Sequence, residues 1–225
     1  MDTMLRRRMM MSGGSSPTPP APSLVLYDYL VFDGTAYIMT DIIPEADSSF
    51  RVNLGDETIK GAQRMFMCRA GESRQIGALI NSETNSSYRM FSIYHGDSAL
   101  VDKSTATSRL AYSLGRYGFW MTCKRWGFGS TSKTFTKGPD TPTGPLIIGQ
   151  MPSLTGQPYT GKMKTFYVYD DETMDVTTNA GFNDFTPVYS LKPCTYDSEA
   201  GLWCEQLQKF YGNSAGSGTL SVENE

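Results

Sequence analysis

Hydrophobic and polar residues alternate along short segments of this chain from Leu24 onward. In residues 50–54, the apolar side chains of Phe50, Val52 and Leu54 are separated by single polar residues. A period of two is that of a β-strand with one face buried. The same alternation, or a strand-like composition, predicts further short strands at residues 35–39, 63–68, 76–80, 88–94, 109–114, 119–125, 145–149, 164–170 and 186–191.

Turn-forming residues lie between most of these segments, and 22 Gly and 12 Pro indicate many turns. Many short strands at roughly even spacing favour an antiparallel β-sandwich or jelly roll, so residues 24–225 are predicted to form one all-β domain. No helix of three turns is evident, although residues 204–212 suggest a short turn ended by Gly212. The last strand, 219–222, is predicted to pair beside 35–39 and bring the two ends together.

Residues 1–23 differ in composition from the rest and are predicted to be an extended N-terminal arm. The arm contains a basic, Met-rich stretch followed by a Gly/Ser- and Pro-rich linker; that stretch is Arg6, Arg7, Arg8, Met9, Met10 and Met11. Three arginines and one aspartate give the arm a charge of +2, so the chain's −3 leaves −5 for the domain. A positive arm suits docking into an acidic groove; a leader without a partner is an equally weighted alternative.

The overall charge and hydropathy exclude several partners. A weakly acidic chain offers no electrostatic basis for binding nucleic acid or an anionic membrane. The apolar run Met9–Met11 is shorter than the core of a signal peptide, and no stretch approaches the ~20 apolar residues of a membrane span. We therefore expect neither a secretion signal nor a membrane anchor.

The chain has four cysteines, Cys68, Cys123, Cys194 and Cys204, and none belongs to a C-x-x-C pair. Zinc and thioredoxin-like sites therefore lack support. We expect reduced thiols, and a Cys194–Cys204 bridge is the alternative in a secreted chain.

The segment FDGTAYIMTDIIP (32–44) resembles the opening of a concanavalin A-like, laminin-G-like jelly-roll domain. That domain is common in structural proteins of tailed phages and prophages and in surface proteins of gut bacteria. The residues that match are Gly34, Thr35, Tyr37, Ile38, Thr40 and Ile42. Residues 63–69 look like the next strand of that family, and residues 161–172 are similar to its late strand.

The most specific part of the resemblance is the segment LKPCTYDSEAGLWCEQLQKFYGNSAGSGTL (191–220). It is similar to the family's Pro-Cys, Gly-Leu, Lys-Phe-Tyr-Gly-Asn and Gly-x-Gly elements, matched by Pro193, Cys194, Gly201, Leu202, Phe210, Tyr211, Gly212, Asn213, Gly216 and Gly218. Trp203–Cys204 departs from the family, which often has an aromatic residue and an aspartate there. The resemblance does not extend over 95–145; it implies two facing antiparallel sheets, one of them curved.

The resemblance implies function only loosely, because this fold hosts many functions. The prediction it favours is a non-enzymatic phage virion protein: a jelly roll displayed as a tail, fibre or capsid module, located in the virion and anchored by its arm. The arm residues 6–11 would contact other virion proteins, and the jelly roll would engage host-surface glycans, with the chain forming a homo-oligomer. The alternative is a carbohydrate-binding module of a bacterial cell-surface protein.

Candidate catalytic chemistry is sparse. His95 is the chain's single histidine, and no G-x-S-x-G motif surrounds it. The E-x-D-x-x-E pattern of jelly-roll glycosidases is absent, since the acidic segment 169–175 has a different spacing. We therefore predict no enzyme.

The acidic segment also bears on metal binding. Asp170, Asp171 and Glu172 follow a predicted strand and could supply oxygen ligands to calcium. The favoured interpretation is a solvated acidic turn, so no cofactor is expected and calcium is the alternative.

The best sequence candidate for a sugar site is the segment 118–129, which supplies Trp120, Lys124, Arg125 and Trp126. On a strand, Trp120 and Lys124 share a face opposite Phe119, and an exposed tryptophan is a stacking surface for a sugar. The favoured alternative is that Trp120 packs against the opposite sheet or a neighbouring subunit.

Overall fold

The computed structural model describes residues 23–55, 62–70, 75–82, 88–95, 109–111, 118–128, 131–135, 141–149 and 159–225. In these residues the chain forms two antiparallel sheets, with strands numbered in chain order. The larger sheet contains β1 (Leu24–Leu26), β2 (Tyr29–Asp33), β4 (Ser48–Leu54), β9 (Gly118–Met121), β10 (Arg125–Phe128), β11 (Thr131–Thr134), β13 (Thr160–Asp170), β14 (Tyr189–Tyr196), β15 (Glu199–Cys204), β16 (Lys209–Tyr211) and β17 (Leu220–Glu223). The smaller sheet contains β3 (Ile38–Met39), β5 (Ala62–Arg69), β6 (Gln75–Ser82), β7 (Tyr88–His95), β8 (Arg109–Ala111) and β12 (Ile147–Ile148).

The smaller sheet runs in the order β3-β12-β5-β6-β7-β8, and the larger in the order β11-β10-β9-β4-β13-β14-β15-β16. The long strand β13 is the centre of the larger sheet. One edge of β13 pairs with β4, while its other edge pairs first with β2, at Thr160–Met163, and then with β14, at Phe166–Val168. β13 pairs with the first part of β14, and β1 pairs with its last part, Cys194–Tyr196.

The hydrophobic core lies between the two sheets. Phe66 of the smaller sheet contacts Phe50 and Phe166 of the larger sheet, with 5.1 Å between ring centroids in each pair. The alternation predicted for 50–54 is confirmed, because Phe50, Val52 and Leu54 are buried and the residues between them are half-buried. Each such fully buried side chain contributes about 1.5–3 kcal/mol to folding.

A separate apolar cluster lies on the outer face of the larger sheet, the face turned away from this core. The chain from β13 to β14 crosses that face as residues 171–188, which we call the crossover. Within the described residues its 3-10 helix, Asn179–Asp184, is the one helix. Arg51 of β4 fixes the helix in place, since its Nε donates to Asn179 Oδ1 and its guanidinium to Asn183 Oδ1, both at 2.9 Å.

The predicted all-β sandwich is confirmed, and the last strand does join the two ends of the domain. Its partner, however, was predicted wrongly: β17 pairs with β2 at Tyr29–Asp33 rather than with residues 35–39. The reason is the turn at Gly34, which has φ of 92° and ends β2 before Thr35. The same edge is closed by Glu225, whose backbone N–H donates to Asp28 Oδ2 at 3.0 Å.

Two further findings concern predicted local structure. The segment 119–125 is not one strand but the end of β9, a bend at 122–124 and the start of β10. Residues 205–208 form a tight turn into β16, so 204–212 is part of a hairpin. The described residues contain no helix long and apolar enough to span a membrane.

Candidate functional site

Trp120, the centre of the predicted sugar site, is completely buried. As predicted, it points away from Phe119, which lies in the main core. That outer face is covered here by the crossover, and the Trp120 ring packs against Phe182, with 5.9 Å between centroids. Trp120 is therefore packed, as the favoured alternative expected, but against the crossover rather than the opposite sheet, and the exposed Trp120 that a sugar site needs is not present.

The other three residues of that prediction do not form a surface with Trp120. Trp126 is 1% exposed and stacks on Phe119 in the main core, with centroids 6.4 Å apart. Lys124 is exposed in the bend, and Arg125 is half-buried with its Nε 2.7 Å from Asp175 Oδ1. Neither tryptophan offers a ring face to a ligand, so the structure does not bring a stacking site together in this segment.

Two of the three residues predicted for calcium, Asp170 and Asp171, have protein partners. Asp170 accepts a hydrogen bond from the Ser48 hydroxyl, and Asp171 accepts from the Thr173 N–H at 2.9 Å and its hydroxyl at 2.6 Å. Those bonds from Thr173 lower the pKa of Asp171. Glu172 is exposed, and no three His, Cys, Asp or Glu side chains gather at a metal-binding distance in the described part of the chain.

The predicted attachment site lies outside what the structure describes, whereas the single histidine lies within it. The arm residues Arg6, Arg7, Arg8, Met9, Met10 and Met11 are outside the described residues. His95 is the last residue of β7, where its backbone is opposite Ile76.

A different group of aromatic residues lies elsewhere on the outer face. Trp203 and Phe210 are partners across β15 and β16, next to the buried pair Leu202 and Tyr211, and so point away from the core. Tyr196, at the end of β14, stacks on both: its centroid is 5.9 Å from Trp203, with 15° between planes, and 5.4 Å from Phe210, with 21°. All three rings are half-buried. We call them the outer aromatic patch.

Two glycines make room for this patch. A Cβ on Gly201 would lie 2.7 Å from Cε2 of Phe210, so the ring lies directly over the glycine. A Cβ on Gly212 would lie 3.1 Å from Cε1 of Phe210 and 2.9 Å from Cδ of Glu199. The Phe210 ring and the Glu199 carboxylate therefore converge above Gly212.

One rim of the patch is charged. Lys192 is the cross-strand neighbour of Trp203, and its Nζ lies 2.6 Å from Glu205 Oε1. Both side chains are only partly exposed. The pair places fixed hydrogen-bonding groups beside a flat apolar surface.

The opposite rim is formed by β1. Leu24 is opposite Tyr196, and Leu26 is opposite Cys194; both leucines are exposed, at 38% and 48%. Cys194 is completely buried beneath the rim, and burial raises the pKa of its thiol to about 12. The four cysteines are free thiols, as expected, so Cys194 and Cys204 are not bridged.

Alternation within one strand could not reveal the patch, because its residues come from three strands. The signal that was available is the hairpin Tyr196–Glu199, whose two-residue loop has positive φ at Asp197 and Ser198. That loop fixes which residues face each other across β14 and β15. Reading the register outward from it would have paired Lys192 with Trp203.

Comparisons with known proteins agree on the fold. A heptameric SAP-like pentraxin from Limulus polyphemus aligns with a TM-score of 0.50 and 12% identity, over 68% of this chain and 80% of the pentraxin. A putative carbohydrate-binding protein from Bacteroides ovatus aligns with a TM-score of 0.51 and 10% identity, over 89% of this chain and 61% of that protein. The fold is a concanavalin A-like jelly roll.

At these identities the likeness concerns the jelly-roll fold. The aligned region spans less than two thirds of the Bacteroides protein. No protein-family model matches the chain, and no curated protein sequence does. The residues of the outer aromatic patch must therefore be interpreted from their own geometry.

Proposed function

We propose that this chain is a non-enzymatic jelly-roll module that binds carbohydrate through the outer aromatic patch. The observation that carries the proposal is the stack of Tyr196, Trp203 and Phe210, three half-buried rings on the outer face of the sheet. Pyranose rings have one face of C–H groups, which packs on an aromatic surface while the hydroxyls at the ring's edge seek polar partners. The patch with its charged rim offers both.

The proposed contacts require little rearrangement of the protein. Phe210 is held over Gly201, and Tyr196 stacks on both other rings, so little side-chain entropy is lost when a ligand binds. The assigned contacts are stacking and hydrogen bonding, and we assign no catalytic residue. The solved structures with the same fold are a pentraxin and a putative carbohydrate-binding protein, which fits a binding role.

A glycan array probed with the full chain tests this proposal. We expect at least one glycan to be retained, and Trp203→Ala and Phe210→Ala to abolish its retention. Phe185→Ala is the matched control, because Phe185 is a half-buried aromatic residue of the crossover, away from the patch. The proposal fails if no glycan is retained, or if both patch variants bind as the unmodified chain does while all variants are folded.

We also propose that the module is displayed on a phage virion, with the arm as its attachment. Supporting this are the basic, Met-rich stretch 6–11, the linker at 12–23 and the sequence resemblance of 32–44 and 191–220 to phage jelly-roll proteins. Mass spectrometry of purified particles carrying a chain that lacks residues 1–23 tests the attachment. Loss of the folded domain from the particles is the expected result, and normal incorporation overturns it.

A homo-oligomeric state belongs to the same proposal. A shallow patch binds a single sugar weakly, and presenting several copies together raises the overall avidity. The pentraxin with the same fold is heptameric. Light scattering of the purified full chain tests this part: an oligomer is expected, and a monomer at working concentration contradicts it.

A further inference from the structure

The class of sugar follows from the group that lies beside the patch. Glu199 is exposed at the start of β15, yet its carboxylate reaches across to Gly212, beside the Phe210 ring. A carboxylate at the edge of an aromatic surface can accept hydrogen bonds from two adjacent hydroxyls of a sugar stacked on that surface.

Glu199 differs from the other carboxylates near the patch in having no partner within the part of the chain that the structure describes. Glu205 is paired with Lys192, and Asp197 accepts from the Ser23 N–H at 3.0 Å. Among the described residues, no side-chain hydrogen bond or ion pair engages Glu199. Its acceptor oxygens are therefore available to a ligand without breaking a bond within the protein.

The charge around the patch also limits which sugars can bind there. The charged side chains on its strands and turns are three negative and two positive: Asp197, Glu199, Glu205, Lys192 and Lys209. Lys209 is opposite Cys204, on the other face of the sheet from the patch, and it is paired with Asp41. Since Lys192 is already neutralised by Glu205, an anionic sugar would meet the unpaired Glu199 without a free cation beside it. The carboxylate of an acidic sugar and that of Glu199 repel each other, and the repulsive energy grows as water is removed from between them.

We infer that the outer aromatic patch selects neutral hexopyranosides that carry two adjacent free hydroxyls. The sugar stacks on Trp203 and Phe210, and the two hydroxyls donate to the carboxylate oxygens of Glu199. Uronic and sialic acids are rejected by that same carboxylate. This inference rests on the proposed carbohydrate-binding function and adds the residue and the charge rule that decide which sugars bind.

The experiment compares neutral and acidic probes on the full chain by calorimetry. The neutral probes are gluco-, galacto- and manno-oligosaccharides, and the acidic probes are oligogalacturonate and sialyllactose. We expect binding of a neutral probe and none of the acidic ones. Glu199→Ala should weaken neutral binding by about tenfold or more, the range of a lost hydrogen bond to a charged group.

Glu199→Gln separates hydrogen bonding from charge. It keeps one acceptor oxygen and removes the negative charge, so neutral binding should fall less than in Glu199→Ala while the discrimination against acidic probes shrinks. Asp184→Asn is the matched control, since Asp184 is an exposed carboxylate of the crossover helix. This control should change neither property.

The outcomes separate the two claims. If an acidic probe binds as well as the neutral ones and Trp203→Ala abolishes its binding, the patch binds carbohydrate but the charge rule is wrong. If neutral binding depends on Trp203 and Phe210 but is unchanged in Glu199→Ala, the role given to Glu199 is wrong. If no probe binds, the proposed function and this inference both fail.

Discussion

The ring of Phe210 lies directly over Gly201, close enough that a side chain at Gly201 would occupy the ring's position. A Cβ there would be 2.7 Å from Cε2 and 2.8 Å from Cζ of Phe210, and it would also press on the carbonyl oxygen of Tyr211. A glycine in the middle of β15 is thus required by the aromatic residue that the next strand places above it.

Gly201→Ala should therefore destabilise the domain. Backbone and ring must both move to admit the methyl group, and overpacking of this kind costs about 1–3 kcal/mol. Chemical denaturation measures the change. Gly216→Ala is the control, since nothing lies within 4 Å of a Cβ at Gly216 and its φ is not positive; equal effects of the two substitutions would contradict the close contact over Gly201.

Phe182→Ala should loosen the crossover. Phe182 is fully buried and contacts Trp120 and Tyr169, with ring centroids 5.9 and 5.1 Å away. Truncating a buried phenylalanine costs about 3–5 kcal/mol, and here it also opens the cover over Trp120. We expect a lower free energy of unfolding and stronger acrylamide quenching of tryptophan fluorescence, whereas Asp184→Ala on the exposed side of the same helix should change neither.

Stability should fall in acid partly through Asp33. Burial raises the pKa of Asp33, but hydrogen bonds from Thr35, Thr219 and Ala36 outweigh it and hold the pKa below its ordinary value of 3.8. Because the folded-state pKa is the lower one, this stabilisation is complete above 3.8 and is lost as the pH falls through the folded-state value.

Thermal unfolding of the unmodified chain and of Asp33→Asn, followed from about pH 6 to about pH 3, isolates this contribution. The difference in stability between the two should narrow as the pH falls. A constant difference across the range would mean that the hydrogen bonds to Asp33 do not depend on its charge.

The thiols should differ in reactivity. Burial raises the pKa of Cys68 and Cys194 to about 12, and both side chains are fully buried. Burial raises the pKa of Cys123 too, but that residue is half-buried in the bend after β9. Since the thiolate is the reactive form, iodoacetamide at neutral pH should label Cys123 first in the native protein and all four cysteines only after denaturation. Equal native labelling of Cys68, read by peptide mass spectrometry, would be inconsistent with its burial.

Local pattern was sufficient to predict the type of fold, because alternation depends only on neighbouring residues. Phe50, Val52 and Leu54 face the core as their spacing indicates. Alternation also placed Trp120 correctly on the face opposite Phe119, but it could not tell whether that face is exposed. The segment that buries Trp120 includes Phe182, which is distant in sequence, and a period of two carries no information about what covers a face.

The candidate site could not be predicted for a related reason. Tyr196, Trp203 and Phe210 come together only once the registers of two hairpins are fixed. The sequence resemblance at 191–220 included Gly201, Phe210 and Gly212 as matching positions without a physical reason. The structure supplies it: each glycine leaves space for the ring or carboxylate that lies above it.

The contact between Glu225 and Asp28 has a consequence for how this domain can be combined with others. The start of β2 and the end of β17 are neighbours on one edge of the larger sheet, so the unit could be inserted into a surface loop of another polypeptide through two junctions on the same side. The domain is therefore suited to insertion within a longer chain.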